Sequence, residues 1–137
     1  MKDEIIPSGM RILPRDEECE KRVLGTILSE RDTIYEVRDI LTENCFYNDF
    51  HKQIYRTVLQ ITDSGGRADA VSVKSKLEFF YPDFSLYELV KISGMYTFDL
   101  YQYACRLHDL MIRRRFFDIG SYLDSSAFNE KEDIADV

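Results

Sequence analysis

A chain of 137 residues, 45% of them apolar and with nine Phe and nine Tyr, is long enough to bury one core but short for a complete multi-substrate enzyme. The same apolar content excludes global disorder. A net charge of −7 and a sequence pI near 4.8 repel phosphate backbones, which argues against tight nucleic-acid binding by the chain alone.

Residues 1–12 read as a flexible N-terminal arm. Lys2, Asp3 and Glu4 open it, Ile5-Ile6 is too short for the apolar region of a signal peptide, and Pro7, Ser8 and Gly9 follow. The first helix is expected from about Asp16 to Ser29, with Asp16, Glu17 and Glu18 at the end where negative charge complements the helix dipole. Val23, Leu24, Ile27 and Leu28 recur at helical spacing. Gly25 lies inside this helix at a cost of about 1 kcal/mol relative to Ala, which suggests a close helix contact there.

A second helix is expected over Thr33 to Leu41, with Ile34, Val37, Ile40 and Leu41 on one side. Asn48 suits the N-cap of a third helix that reaches about Ser64, buries Phe50, Ile54, Val58, Leu59 and Ile61, and closes at Gly65-Gly66. Ser72 is the expected cap of a fourth helix to about Phe80, with Val73, Leu77 and Phe80 inward and Pro82 ending it. Ser85 and Glu88 have the spacing of a capping box for a fifth, Leu86 to Ile92, with Gly94 as its break.

The sixth helix, from about Asp99 to Leu123, is the longest and carries two apolar stripes at 100° per residue. Leu100, Tyr103, Leu107, Leu110 and Met111 form one, which can pack on the preceding helices. Cys105, Ile112, Phe116, Ile119 and Leu123 form the other, which needs a further partner. Residues Asn129 to Val137 read as the start of another helix, expected to continue in a longer protein. With no period-2 alternation anywhere, the expected fold is all-α. A compact multi-helix head over residues 13–98 is followed by a long helix that starts a helical hairpin over 99–137.

The sequence holds no G-x-x-x-x-G-K-[ST] phosphate loop, no G-x-S-x-G and no H-E-x-x-H. No catalytic, cofactor-binding or metal-ligating residue is therefore assigned. Cys19, Cys45 and Cys105 are odd in number, far apart and without a CxxC pair, which points away from disulfides and zinc and toward a reducing cytoplasm. His51 and His108 lie in different segments and are expected at the surface or at caps. The run Arg113-Arg114-Arg115 reads first as a solvated helix face, and second as a phosphate site.

Three stretches together resemble the N-terminal domain of DnaB-family replicative DNA helicases. Residues Leu13 to Gly25 include Glu18-Cys19-Glu20 and Val23-Leu24-Gly25, similar to the family's E-A-E-x-x-V-L-G with Cys19 in place of alanine. Phe46-Tyr47, His51, Ile54-Tyr55, Gly65 and Asp69-Ala70-Val71-Ser72-Val73 are similar to its F-Y-x-x-x-H-x-x-I-[FY] and the D-x-[VI]-T-[LV] that follows. Tyr103-Ala104 with the arginine run ten residues on resembles its Y-A and later arginine pair. Residues 79–97 depart from the family pattern, and the first dozen have no counterpart in it.

The resemblance implies a non-catalytic collar domain, a head plus hairpin, with Glu18, Glu20, Val23, Leu24, Gly25, Phe46, Tyr47, His51, Ile54 and Asp69 as family-motif core residues. It implies a hexamer in the parent, primase and helicase-loader partners, and ATP and Mg in a separate C-terminal domain. Ile112, Phe116, Ile119 and Leu123 are the expected self-association surface, most simply a dimer of this chain. Three alternatives stand beside it: the helicase-binding C-terminal domain of a bacterial primase, a helical enzyme gripping nucleic acid through Arg113–Arg115, and a generic helical adaptor. The acidic charge makes the first prediction. Binding to a labelled oligonucleotide, measured by fluorescence anisotropy at about 150 mM salt, should be weaker than micromolar; submicromolar binding would overturn it.

Overall fold

Helix α1 (Glu17–Ser29) is the element around which the others are arranged. Asp16 caps it, accepting the Cys19 N–H at 3.0 Å, and three glutamates stand in its first turn. Cys19, Glu20 and every residue from Val23 to Leu28 are buried, so the helix is covered on nearly all sides. The computed structural model describes residues 12–131 and 133–136. The arm expected over residues 1–12 therefore lies, Ile12 aside, outside the described residues, as does Val137.

Five further α-helices follow: α2 (Ile34–Val37), α3 (Asp49–Asp63), α4 (Ala70–Phe80), α5 (Leu86–Ser93) and α6 (Leu100–Phe128). Among the described residues there is no strand, and the all-α expectation holds. Helices α3, α5 and α6 pack on α1, and α4 bridges α3 and α5. The shared core contains Val23, Leu24, Phe46, Ile54, Tyr55, Val58, Leu77, Leu89, Ile92 and Leu107.

Several boundaries differ from expectation, each for a local reason. Helix α2 stops at Val37 instead of reaching Leu41, because the chain turns there through bonds from Ile40 N–H and Leu41 N–H to the Val37 carbonyl. Leu41 then becomes a core residue whose carbonyl accepts the buried Tyr55 hydroxyl at 3.0 Å. Helix α4 is capped by Asp69, not by Ser72. The two residues bond reciprocally, Ser72 N–H to Asp69 Oδ1 at 2.9 Å and Asp69 N–H to Ser72 Oγ at 3.0 Å, so Ser72 is the third helical residue of the box.

Asn48 caps α3 and Ser85 caps α5, as their spacing suggested. Val73 and Leu77 point inward, but Phe80, at the end of α4, is 54% exposed. Tyr81 packs in its place and accepts a bond from Arg56 at 2.8 Å. Helix α6 runs five residues past its expected end, and Ile134 sits in a single 3-10 turn, exposed, where a new helix was expected.

Gly25 sits where α1 crosses the end of α5. A Cβ there would lie 1.8 Å from the Met95 carbonyl oxygen and 2.3 Å from that of Ile92. The neighbouring Thr26 reinforces the crossing: its hydroxyl accepts the Thr97 N–H at 2.9 Å and donates to the Arg22 carbonyl at 2.7 Å. Helix propensity alone would make Gly25→Ala stabilising by about 1 kcal/mol. The clash is with backbone, which cannot rotate away, so overpacking should win and destabilise by about 3 kcal/mol. Thermal unfolding should show a midpoint lowered by about 10 °C; an unchanged or raised midpoint would refute the close contact.

Candidate interaction surface

The acidic first turn of α1 reaches across to the start of α3. Glu20 is fully buried, and its carboxylate accepts the Tyr47 N–H at 2.8 Å and the Asn48 N–H at 3.3 Å, with His51 Nδ1 at 2.7 Å. One turn earlier, Glu17 accepts from the Asn48 side-chain NH2 at 2.9 Å, while Asn48 Oδ1 accepts the N–H groups of Phe50 and His51. A buried carboxylate is tolerated here because it faces backbone donors at a helix N-terminus and an imidazole.

His51 is thus a core residue, which corrects its expected place at the surface or at a cap; His108 is exposed. Of the family-motif residues, Glu20, Val23, Leu24, Gly25, Phe46, His51 and Ile54 are buried. Glu18 and Tyr47 are at the surface instead, Glu18 pairing with Arg22 at 3.3 Å, and Asp69 is the half-buried cap of α4.

Helix α6 lies on the head through Leu100, Ala104, Leu107 and Met111, with Tyr103 half-buried beside them; Leu110 is buried as well. Arg106 meets Asp16 at 2.7 Å. Burial opposes the Asp16 charge, but the bonds from Arg106 and from the Cys19 N–H outweigh it and hold the carboxyl below its ordinary value. Burial also pushes the Cys19 thiol up to about 12, which keeps it protonated and unreactive. All three cysteines are free.

The arginine run does not behave as one solvated face. Arg113 pairs with Asp109 one turn back at 2.9 Å, and Arg115 is exposed. Arg114 turns inward and donates to the carbonyls of Pro14 at 2.8 Å, Asn44 at 3.0 Å and Cys45 at 3.2 Å. Burial lowers the Arg114 pKa from the ordinary value. The guanidinium groups of Arg15 and Arg114 both lie over the Tyr47 ring, 4.8 Å and 5.8 Å from its centre. A cleft of about 650 Å³ opens beside them, lined by Glu17, Asp49 and Asp118 as well as Lys52, Arg114 and Arg115. Its mixed signs give it no preference for a phosphate. Among the described residues, no cluster of His, Cys, Asp and Glu could hold a metal ion.

Past Arg114 the helix leaves the head, and every residue from Arg115 to Ser125 is exposed. Phe116 is 66% exposed, Ile119 56% and Leu123 53%, and the three fall within about 60° of one another around the helix. Cys105 and Ile112, assigned to the same stripe from sequence, are half-buried, and Ile112 packs against the core. The sequence reading missed Phe117, Tyr122 and Phe128, all exposed. Tyr122 widens the stripe, whereas Phe117 and Phe128 extend the line of Tyr103 and Leu110 beyond the head. Their signal was present as apolar residues off the main stripe, at positions the head does not reach.

The sequence profile of the family described as DnaB-like helicase N terminal domain matches residues 12–93, which hold α1 to α5 and the Glu20–His51 pair. The chain belongs to this family. Among its relatives, the replicative DNA helicase DnaB of Rickettsia conorii is 26% identical over 129 residues, covering 90% of this chain and 26% of that protein. The DnaB of Mycobacterium leprae is 31% identical over 86 residues, covering 56% of this chain and 14% of that protein. The chain thus spans about a quarter of the Rickettsia relative and less of the other. The crystal structure of the N-terminal domain of DnaB helicase from Mycobacterium tuberculosis superposes with a TM-score of 0.80 at 24% identity, over 85% of this chain and 87% of that one. This likeness shows the fold. The family match sets aside the primase alternative left open by the sequence.

Within the DnaB-family motif, the two glutamates flanking Cys19 should respond differently to loss of charge. Glu20→Gln replaces one of the two accepting oxygens with a donating NH2 group that faces an N–H or the imidazole, and should destabilise the domain by about 3 kcal/mol in urea unfolding. Glu18→Gln, at the surface, should stay within about 0.5 kcal/mol of the unaltered chain. Equal effects of the two substitutions would contradict the role given to Glu20.

Proposed function

We propose that this chain is the non-catalytic N-terminal assembly and partner-docking domain of a cytoplasmic replicative DNA helicase. In that reading it builds the collar of a ring hexamer and presents a docking surface for primase and a helicase loader, while ATP, Mg and DNA are handled by a separate C-terminal domain. The observation that carries it is the exposed apolar stripe of Phe116, Ile119 and Leu123 on a helix that continues past its own head. Burying each such side chain is worth about 1.5–3 kcal/mol. A domain that leaves three in one sector exposed has a partner for them. The family relationship supports an assembly role, and the absence of a phosphate loop from the sequence agrees with chemistry located elsewhere.

In this chain the simplest partner for the stripe is a second copy across a two-fold axis. Light scattering should find the unaltered chain dimeric or larger at high concentration. The double substitution Phe116→Asp with Ile119→Asp should convert it to a monomer with an unchanged helical circular dichroism spectrum. A monomeric unaltered chain, or a double variant that unfolds instead of dissociating, would defeat the interface assignment.

A further inference from the structure

Resting on that reading, we propose that Arg114 is the positioning residue that fixes the direction in which the distal half of α6 leaves the head, and with it the presentation of the assembly stripe. Among the contacts between described residues, those of Arg114 are the last that the outgoing helix makes to the head, and the exposed segment begins at the next position. Its planar fork reaches carbonyls on two separate segments, Pro14 ahead of α1 and Asn44 and Cys45 in the 3-10 turn over Glu43–Cys45. The Arg114 guanidinium also lies over the Tyr47 ring, 5.8 Å from its centre.

The other anchors at the base of the exit are of a different kind. Met111 and Ile112 pack through apolar contact, which is not directional. The Arg106–Asp16 pair lies two turns earlier. From Arg115 to Phe128 the helix extends about 21 Å, so a 10° tilt at its base moves the tip by about 4 Å. A packed apolar interface tolerates far less displacement than that. Three hydrogen bonds to fixed backbone oxygens limit this tilt, and lysine, a point charge on a flexible stem, could not hold all three in one plane.

The test measures direction separately from assembly. Spin labels go on Ser75→Cys in α4 and Ser121→Cys in α6, both exposed, in a Cys105→Ser background; Cys19 and Cys45 are buried. Dipolar distance distributions are recorded on labelled chain diluted into unlabelled chain. The unaltered Arg114 should give one narrow distance. Arg114→Met, which keeps the stem but loses the fork and its three bonds, should broaden it about twofold and weaken self-association about tenfold. Should Arg114→Met abolish cooperative unfolding, Arg114→Lys is measured in its place by the same criterion. A distribution as narrow as that of the unaltered chain overturns the inference. If the unaltered chain is monomeric, the assembly reading fails and the distance measurement still decides the role of Arg114.

Discussion

A carboxylate with no exposed surface, Glu20, gathers the N–H groups of Tyr47 and Asn48 and the ring of His51. Without it, two part-buried loop N–H groups and a buried imidazole would lose their acceptor, and a buried polar group left unpaired costs about 1–3 kcal/mol. The arrangement fixes the loop that leads into α3. Phe46, at the start of that loop, then packs on Tyr55 at 5.0 Å between ring centres, and the Tyr55 hydroxyl reaches back to the Leu41 carbonyl. The carbonyls of Asn44 and Cys45, just upstream, are those that Arg114 takes. The segment 44–48 is thus held from both sides, by the Glu20 side chain of α1 and by the Arg114 side chain of α6.

What the sequence discloses is what local spacing determines. The 3.6-residue period of Val23, Leu24, Ile27 and Leu28, the caps Asn48 and Ser85, and the head-facing stripe of α6 could all be read because each signal is complete within a few residues, whereas Asp16, read as a first-turn dipole partner, is the cap of α1. Gly25 could be read as a close contact, but its partner, the Met95 carbonyl, could not. Asp69 and Ser72 are both good caps, and since they bond to each other, local preference could not rank them. His51 and Glu20 were visible as motif letters 31 positions apart, yet a titratable residue reads as a surface residue until its buried partner is known. In the arginine run, the 100° step between neighbours sends Arg114 inward and Arg115 outward, a distinction that composition does not contain.

Helix α6 combines two roles that are usually divided. Its first half closes the core, where Leu100, Ala104, Leu107 and Leu110 are buried, and its second half presents apolar side chains to its surroundings. The two halves differ only in what lies opposite them, and both follow from one unbroken period of 3.6 residues with no proline and with Gly120 in open space. One continuous helix thus carries both the buried stripe and the exposed one.

The strap formed by Pro14 and Asp16 has a consequence for the order of folding. Its partners on α6 stand 90 to 100 positions downstream, Arg106 for Asp16 and Arg114 for Pro14, and Cys19 meets the Tyr103 carbonyl across 84. The first residues of the head to be synthesised are thus among the last to find their place. While the chain emerges from the ribosome, α1 is exposed with its apolar sides uncovered until α3, α5 and finally α6 arrive. Closing so long a loop delays the final docking step, so the nascent domain spends its most vulnerable interval waiting for the helix that completes its core.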